Sequence, residues 1–418
     1  MGNHRVVVTG VGVISALGRN SAEFWQGICD GKSGIAPIES VDRTALRFEN
    51  GAEVRGFDSL NHFEEKQLVF LDRFAQFALI AAREAAADAR LTWTDELRER
   101  SAVVTGSCVG GAVSEDDGYR ELYREGRPRM NPMMIPRIMD SAAASHISVE
   151  FGITGPSLTI STACASSTHA IGNAFWMVRQ GTACLAIAGG SEAPFSFGNL
   201  KAWEALRTVA PDTCRPFSKH RRGMILGEGG AMLVIESLDN ARARDATIYA
   251  EIVGFGMSAD ASHLTQPSAA GAARAMRAAL KDAEINPDRV GYINAHGTGT
   301  QINDATETRA IRSVFGQHAN RIAVSSTKAA HGHALGATGA IEAAAAVFAL
   351  RDCILPPTVN FIEPDPECDL DVVPNHARSA MVDYALSNSF AFGGLNAVLV
   401  FRRWNDDGYS WHKTAFSI

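Results

Sequence analysis

LTISTACASSTHAIGNAFWMV, residues 158–178, joins a β-prone run to a helical stripe on which Ile171, Ala174, Phe175 and Val178 share one face. The period changes at Cys164, so a strand ends and a helix begins around that thiol. Upstream lie an apolar β-branched run at 5–13, an alanine-rich helical pattern at 77–90 and a glycine-ended strand at 102–111; a further glycine-ended strand follows at 183–190. The series then starts again: strand 248–254, helix 272–283, glycine-ended strand 290–299, strand 322–326 entering a helix centred on Glu342, and a last strand at 385–390. Strands alternating with helices predict a mainly parallel sheet covered on both faces. Two units of like order predict an internally duplicated α/β chain.

With 418 residues, 46% hydrophobic and 20% charged, the chain can bury one large core or two fused ones. A net charge of -7 is unsuited to holding nucleic acid, which needs a basic face. The stretch MGNHRVVVTG lacks the pattern of a secretory signal, and Val6 stands where a myristoylation motif wants Ser or Thr. The longest apolar run, 334–350, carries Glu342 at its middle and reads poorly as a membrane span. A cytoplasmic protein is expected. Seven cysteines without regular short spacing match neither a disulfide framework nor a zinc site.

In open α/β sheets, reactive groups gather where strands end and loops enter helices. Cys164, His296, His333 and the loop around Phe392 all stand at such ends. A thiol at a helix N-terminus meets unpaired N–H groups and the positive end of the dipole, which predicts more thiolate near neutral pH. A buried structural cysteine or a redox-sensitive thiol fits the same setting. VGYINAHGTGTQINDATE, 290–307, places His296 directly after a strand, and its Gly-x-Gly lacks the spacing of a dinucleotide loop. A capping histidine in a turn reads equally well there. SSTKAAHGHALGATGAIEAAAAVFAL, 325–350, holds Lys328, His331 and His333 with no further ligand at helical spacing, so no metal is expected. Lys328 should disfavour protonation of a neighbouring imidazole. Glu342, on a helix apolar nearly all round, must find backbone donors, a cation or a proton. ALSNSFAFGGLNAVLV, 385–400, reads as two strands around glycines that free backbone amides to face a ligand.

In their order, TACASS, NAHGTGT, SSTKAAHGHALGATGA and NSFAFGG resemble the signature of the β-ketoacyl synthase family, within it the elongating type II branch. The likeness runs from RVVVTGVGVISALG to the strand before Phe401. It implies the thiolase-like fold: α/β, internally duplicated and layered, with two mixed, mainly parallel sheets. A half at 1–245 would carry the nucleophilic cysteine, a half at 246–403 both histidines, and 404–418 would be a tail. The implied activity is a decarboxylative Claisen condensation of a Cys-bound acyl group with a malonyl unit, without a cofactor. Partners would be acyl carrier protein, acyl and malonyl thioesters and a second copy of the chain, with no nucleic acid and no membrane span.

Carried onto this sequence, the resemblance makes Cys164 the nucleophile, His296 and His333 the two imidazoles, Lys328 the supporting lysine and Glu342 the buried carboxylate. Phe392 would gate the pocket, its N–H joining that of Cys164 as an oxyanion hole, beside Phe390. Val109 and Met134 would line the acyl tunnel, Met134 from the partner subunit, and Lys66 and Arg207 would dock the carrier. His333 excludes the branch that uses Asn there. Two positions depart from the pattern: Arg222 precedes Gly223 where most relatives have Asp, and Ser218 replaces a common Asp. A non-catalytic chain-length subunit of the same fold is the alternative, although such subunits lack the nucleophile. General fatty-acid elongation and a specialised chain, such as one for a nodulation signal, both stay open.

Overall fold

A computed structural model describes residues 3–405, so 406–418 of the expected tail lie outside the described residues. Ten strands form the main sheet: β1 (Val6–Ser15), β2 (Ser101–Gly106), β3 (Ser157–Ile160), β4 (Leu185–Glu192), β5 (Gly229–Ser237), β6 (Ala250–Ala259), β7 (Val290–Asn294), β8 (Ala323–Ser325), β9 (Tyr384–Ala391) and β10 (Leu395–Arg403). Across the sheet they run β8-β7-β9-β10-β6-β1-β5-β4-β2-β3. Read outward from the centre, one half is β1-β5-β4-β2-β3 and the other β6-β10-β9-β7-β8. Each strand thus has a counterpart five strands later, and the pairing directions repeat with it. Topology therefore carries the expected duplication.

The mixed α/β sheet stands as expected, with two particulars. The halves join edge to edge, because Val6, Val7 and Val8 pair antiparallel with Ile252, Glu251 and Ala250, which makes one continuous sheet instead of two. Parallel pairing is confined to the outer three strands of each half. The inner ones are antiparallel; β9 and β10 are joined by the turn Phe392–Gly394, far too short for a parallel crossover.

Four helices position the site: α1 (Arg73–Asp88), α2 (Ser166–Arg179), α3 (Ala269–Asp282) and α4 (Thr338–Asp352). Alanine in α1 and α3 answers glycine in the strands. A Cβ on Gly10 or Gly12 would come within 2.2 or 2.0 Å of the Ala85 or Ala81 carbonyl oxygen, and one on Gly254 or Gly256 within 2.5 or 2.4 Å of those of Ala279 or Ala275. Backbone meets backbone at equivalent places in both halves, so any side chain there would push helix from sheet. α2 and α4 share one core with strands of both halves, including Val104, Leu233, Ala385 and Leu399. α4 is buried on every side from Thr338 to Leu350, which accounts for its run of alanines. No helix among the described residues is long and apolar enough to cross a membrane.

Candidate active site

Cys164 lies between β3 and α2, in a turn that holds Ala163 in the left-handed region at φ 48°. The Ser166 hydroxyl tightens this turn, accepting from the Thr162 N–H at 2.9 Å and donating to the Ala163 carbonyl at 2.6 Å. A non-glycine residue held there stores strain, which the surrounding packing must over-determine. The sulfur is buried, and the backbone N–H groups of Cys164 and Phe392 both point at it. Phe392 opens the turn between β9 and β10, where Gly393 and Gly394 take φ of 81° and 68°. Its ring stacks on Trp203 at 6.1 Å.

Burial pushes the Cys164 thiol up to about 11; the Lys328 ammonium opposes this and Glu192 adds to it. The expected thiolate at the helix N-terminus is therefore corrected. Desolvation outweighs the dipole, and the resting group is the thiol.

His296 follows β7, and its ring meets that of His333 edge to face at 5.5 Å. Burial first, then Lys328, hold both imidazoles well below the usual histidine range, so both are neutral. His333 Nδ1 lies 2.8 Å from the Thr338 hydroxyl. With that hydroxyl donating, the ring proton sits on Nε2. The His296 loop is clamped by Glu307, which accepts from the N–H groups of His296 at 2.9 Å and Gly297 at 2.7 Å.

Lys328 and Glu342 are both fully buried, with Nζ 2.5 Å from Oε1. Glu342 thus finds the cation that its position demanded. Its other oxygen, together with Asn294 Oδ1, Ser387 Oγ and Asn388 Oδ1, is buried without a hydrogen-bond partner among the described residues. Asn294 and Ser387 stand opposite each other on β7 and β9. Oxygen acceptors of this kind suit a small hard cation or a water. No group of three or more His, Cys, Asp or Glu among the described residues is placed to hold a metal.

A cavity of about 460 Å³ brings Cys164, His296, His333, Phe390, Phe392 and Arg207 together. Lys328 and Glu342 stand behind it. Val109 packs in an apolar cluster with Phe195, Leu200 and Leu335 instead of lining the cavity. Met134 is buried in its own chain, where its methyl would lie 2.0 Å from a Cβ on Gly118. Ile135 beside it is 64% exposed. Lys66 is exposed, pairs with Glu64 at 2.7 Å and lies outside the cavity lining.

Sequence reasoning passed over Glu192, the fully buried end of β4. Its carboxylate accepts from the Ser107 hydroxyl at 2.8 Å and from the N–H groups of Cys108, Val109 and Gly336 at 2.8, 3.2 and 3.0 Å. It ties the loop after β2 to the loop that follows His333. A lone glutamate at a strand end carries no periodic or motif signal that would have marked it.

The family models of the β-ketoacyl synthase N-terminal and C-terminal domains match residues 3–241 and 249–362. Nodulation protein E of Rhizobium sp. (strain N33) is 47% identical over 401 residues, covering 96% of this chain and all of that protein. The 3-oxoacyl-[acyl-carrier-protein] synthase 2 of Staphylococcus aureus (strain N315) is 42% identical over 408 residues, covering 96% of this chain and 99% of that one. Among solved structures, AntDE:AntF, described as a type II PKS acyl-carrier protein in complex with its ketosynthase, superposes with a TM-score of 0.86 at 34% identity, covering 96% of this chain and all of that one.

Proposed function

Since the chain belongs to the β-ketoacyl synthase family and is a condensing acyltransferase, we propose that it condenses carrier-bound thioesters through Cys164, His296 and His333. The observation that carries this is the meeting of a thiol, two neutral imidazoles and two convergent amides in one cavity. The Cys164 sulfur attacks the acyl thioester, its proton leaves on the released carrier thiol, and the acyl group stays on sulfur. The amides of Cys164 and Phe392 take the oxyanion of that step and of its later reverse. A malonyl thioester then loses carbon dioxide. His296 and His333 donate hydrogen bonds to the enolate oxygen, and the enolate carbon attacks the acyl-Cys164 carbonyl, breaking the bond to sulfur; the 3-oxoacyl thioester is released and the expelled Cys164 thiolate takes a proton from water. Neutral imidazoles suit this role because they hold the enolate without giving it a proton.

Incubation with an acyl carrier thioester should add the acyl mass to the Cys164 peptide; absence of that adduct with turnover intact would remove the assignment. Replacing His333 by Ala should slow malonyl decarboxylation by roughly 10²- to 10³-fold while acylation of Cys164 falls less than tenfold. Separate assays of the half-reactions check this, and equal losses would make His333 structural. The convergence of nucleophile and both imidazoles favours catalysis over a chain-length subunit.

The relative named nodulation protein E supports a specialised acyl product, and the carrier-bound ketosynthase supports an acyl carrier partner with Arg207 at the mouth. A homodimer is supported by the edge strand β3, paired among the described residues with β2 alone, and by outward-facing Val149, 80% exposed, and Ile135. Seven free cysteines fit a reducing, cytoplasmic setting. Val109 packs outside the lining of this cavity, on the loop that Glu192 clamps, and we propose that it walls a deeper stretch of the acyl tunnel. Val109→Phe should shorten the longest accepted chain while short acyl groups still load, each excluded methylene forfeiting about 0.8 kcal/mol. An unchanged product profile in a stable variant would take Val109 out of the tunnel.

A further inference from the structure

His331 is buried two residues before His333 but does not line the cavity, and the reaction makes no use of its ring. It closes the single helical turn Lys328–His331, its N–H donating to the Thr327 carbonyl at 3.2 Å. Gly332 then takes φ 71°, and the chain leaves for His333, whose N–H donates to Ile225 at 2.7 Å. The His331 side chain folds back along the same turn, with Nε2 3.1 Å from the Thr327 hydroxyl. That hydroxyl also accepts from Asn294 Nδ2, at the end of β7, at 3.4 Å. All three side chains are buried. Each stands beside a member of the site: Asn294 two residues before His296, Thr327 one before Lys328, His331 two before His333.

The donors fix the direction of this bridge. Thr327 has one hydroxyl proton to place, and with Asn294 donating to its oxygen, His331 Nε2 is the acceptor at hand. The ring proton then sits on Nδ1, which is buried without a hydrogen-bond partner among the described residues. The other tautomer would strand both the Thr327 hydroxyl proton and a bare Nδ1. Burial first, then Lys328, push the imidazole down to about 3, so it stays neutral and able to accept. Its ring lies tilted against that of Phe24 at 6.2 Å.

We propose that His331 is a positioning residue for malonyl decarboxylation: through Thr327 and Asn294 it ties the segments carrying His333, Lys328 and His296 into one unit. This rests on the thioester-condensing reading and adds to it what keeps the two imidazoles in register. Both rings must meet one enolate oxygen, so a shift of either segment weakens the pair. Cys164, between β3 and α2, stands outside the bridge, and its acylation does not depend on it.

The test uses the full-length protein with malonyl and acyl thioesters of acyl carrier protein. His331→Phe keeps a ring against Phe24 but removes the acceptor. It should lower kcat for malonyl decarboxylation about tenfold while acylation of Cys164 stays within about twofold of the parent. His331→Gln, whose amide oxygen can take the place of Nε2, should recover most of the rate. Thr327→Val removes the middle of the bridge and should show the same split, and joining it to His331→Phe should cost no more than either change alone. Parental decarboxylation in His331→Phe, equal losses in both half-reactions, no recovery with Gln, or additive losses in the double variant each overturn the proposal. Should His331→Phe fail to fold, Thr327→Val and His331→Gln decide it by the same split and recovery. If the parent protein neither acylates Cys164 nor decarboxylates the malonyl thioester, the condensing reading fails instead, and the two failures are distinct.

Discussion

Cys164→Ala is expected to abolish condensation, lowering turnover on the order of 10⁴-fold or more, as loss of a covalent nucleophile does elsewhere. Cys164 is the one cysteine that lines the cavity among the described residues. Cys108 is its nearest rival, but burial raises that thiol well above the usual range and Glu192 adds to the shift. Its backbone is also held by Glu192 at 2.8 Å. Acyl adducts should therefore vanish from the variant and not move to Cys108, which mass spectrometry of the digested protein would show. Malonyl decarboxylation should survive, since the two imidazoles need no sulfur. A thiol near 11 also makes a kinetic forecast: only the thiolate is alkylated, so the rate of Cys164 alkylation rises about tenfold per pH unit between pH 7 and 10. A plateau from pH 7, or an adduct elsewhere with turnover intact, contradicts the assignment.

The strands and helices around the site were legible because period and punctuation agree along the chain. Cys164, His296, His333 and Phe392 each stand where a strand pattern stops, and duplication places those stops at one end of the sheet. Cys164 follows β3 and His333 follows β8, its counterpart five strands later. Antiparallel pairing in the middle was hidden, because a buried strand reads as apolar whichever way its neighbour runs. The state of the thiol was hidden too. Helix-end location is local and visible in sequence, whereas the desolvation that outweighs it depends on residues such as Phe390 and Phe392, more than two hundred positions away. Glu192 and Glu307 went unmarked for the same reason: their donors come from loops that only the tertiary fold brings to them.

Lys328→Met is expected to cost the fold about 3–5 kcal/mol, because it leaves a carboxyl buried without its cation. Lys328 and Glu342 are each fully buried, and among the described residues no second cation pairs with Glu342. Burial already pushes Glu342 up to about 8 with Lys328 opposing that rise. Without Lys328 the carboxyl holds its proton to still higher pH. The folded state then binds a proton that the unfolded state, with a value near 4.3, has released. Stability of the variant therefore falls as pH rises through that window, and its thermal midpoint should be higher at pH 5 than at pH 8. Adding Glu342→Leu removes the uncompensated group and should restore most of the stability and flatten the pH dependence. It should not restore condensation. Lys328 is also among the charges that keep His296 and His333 neutral, so both variants protonate these rings at higher pH. An imidazolium next to the enolate gives it a proton, which ends the reaction at an acetyl thioester instead of a carbon–carbon bond. The acid limb of the condensation profile should accordingly move to higher pH, with acetyl product appearing as condensation falls. A double variant that condenses at the parental rate with an unshifted profile would reduce Lys328 to a structural partner of Glu342.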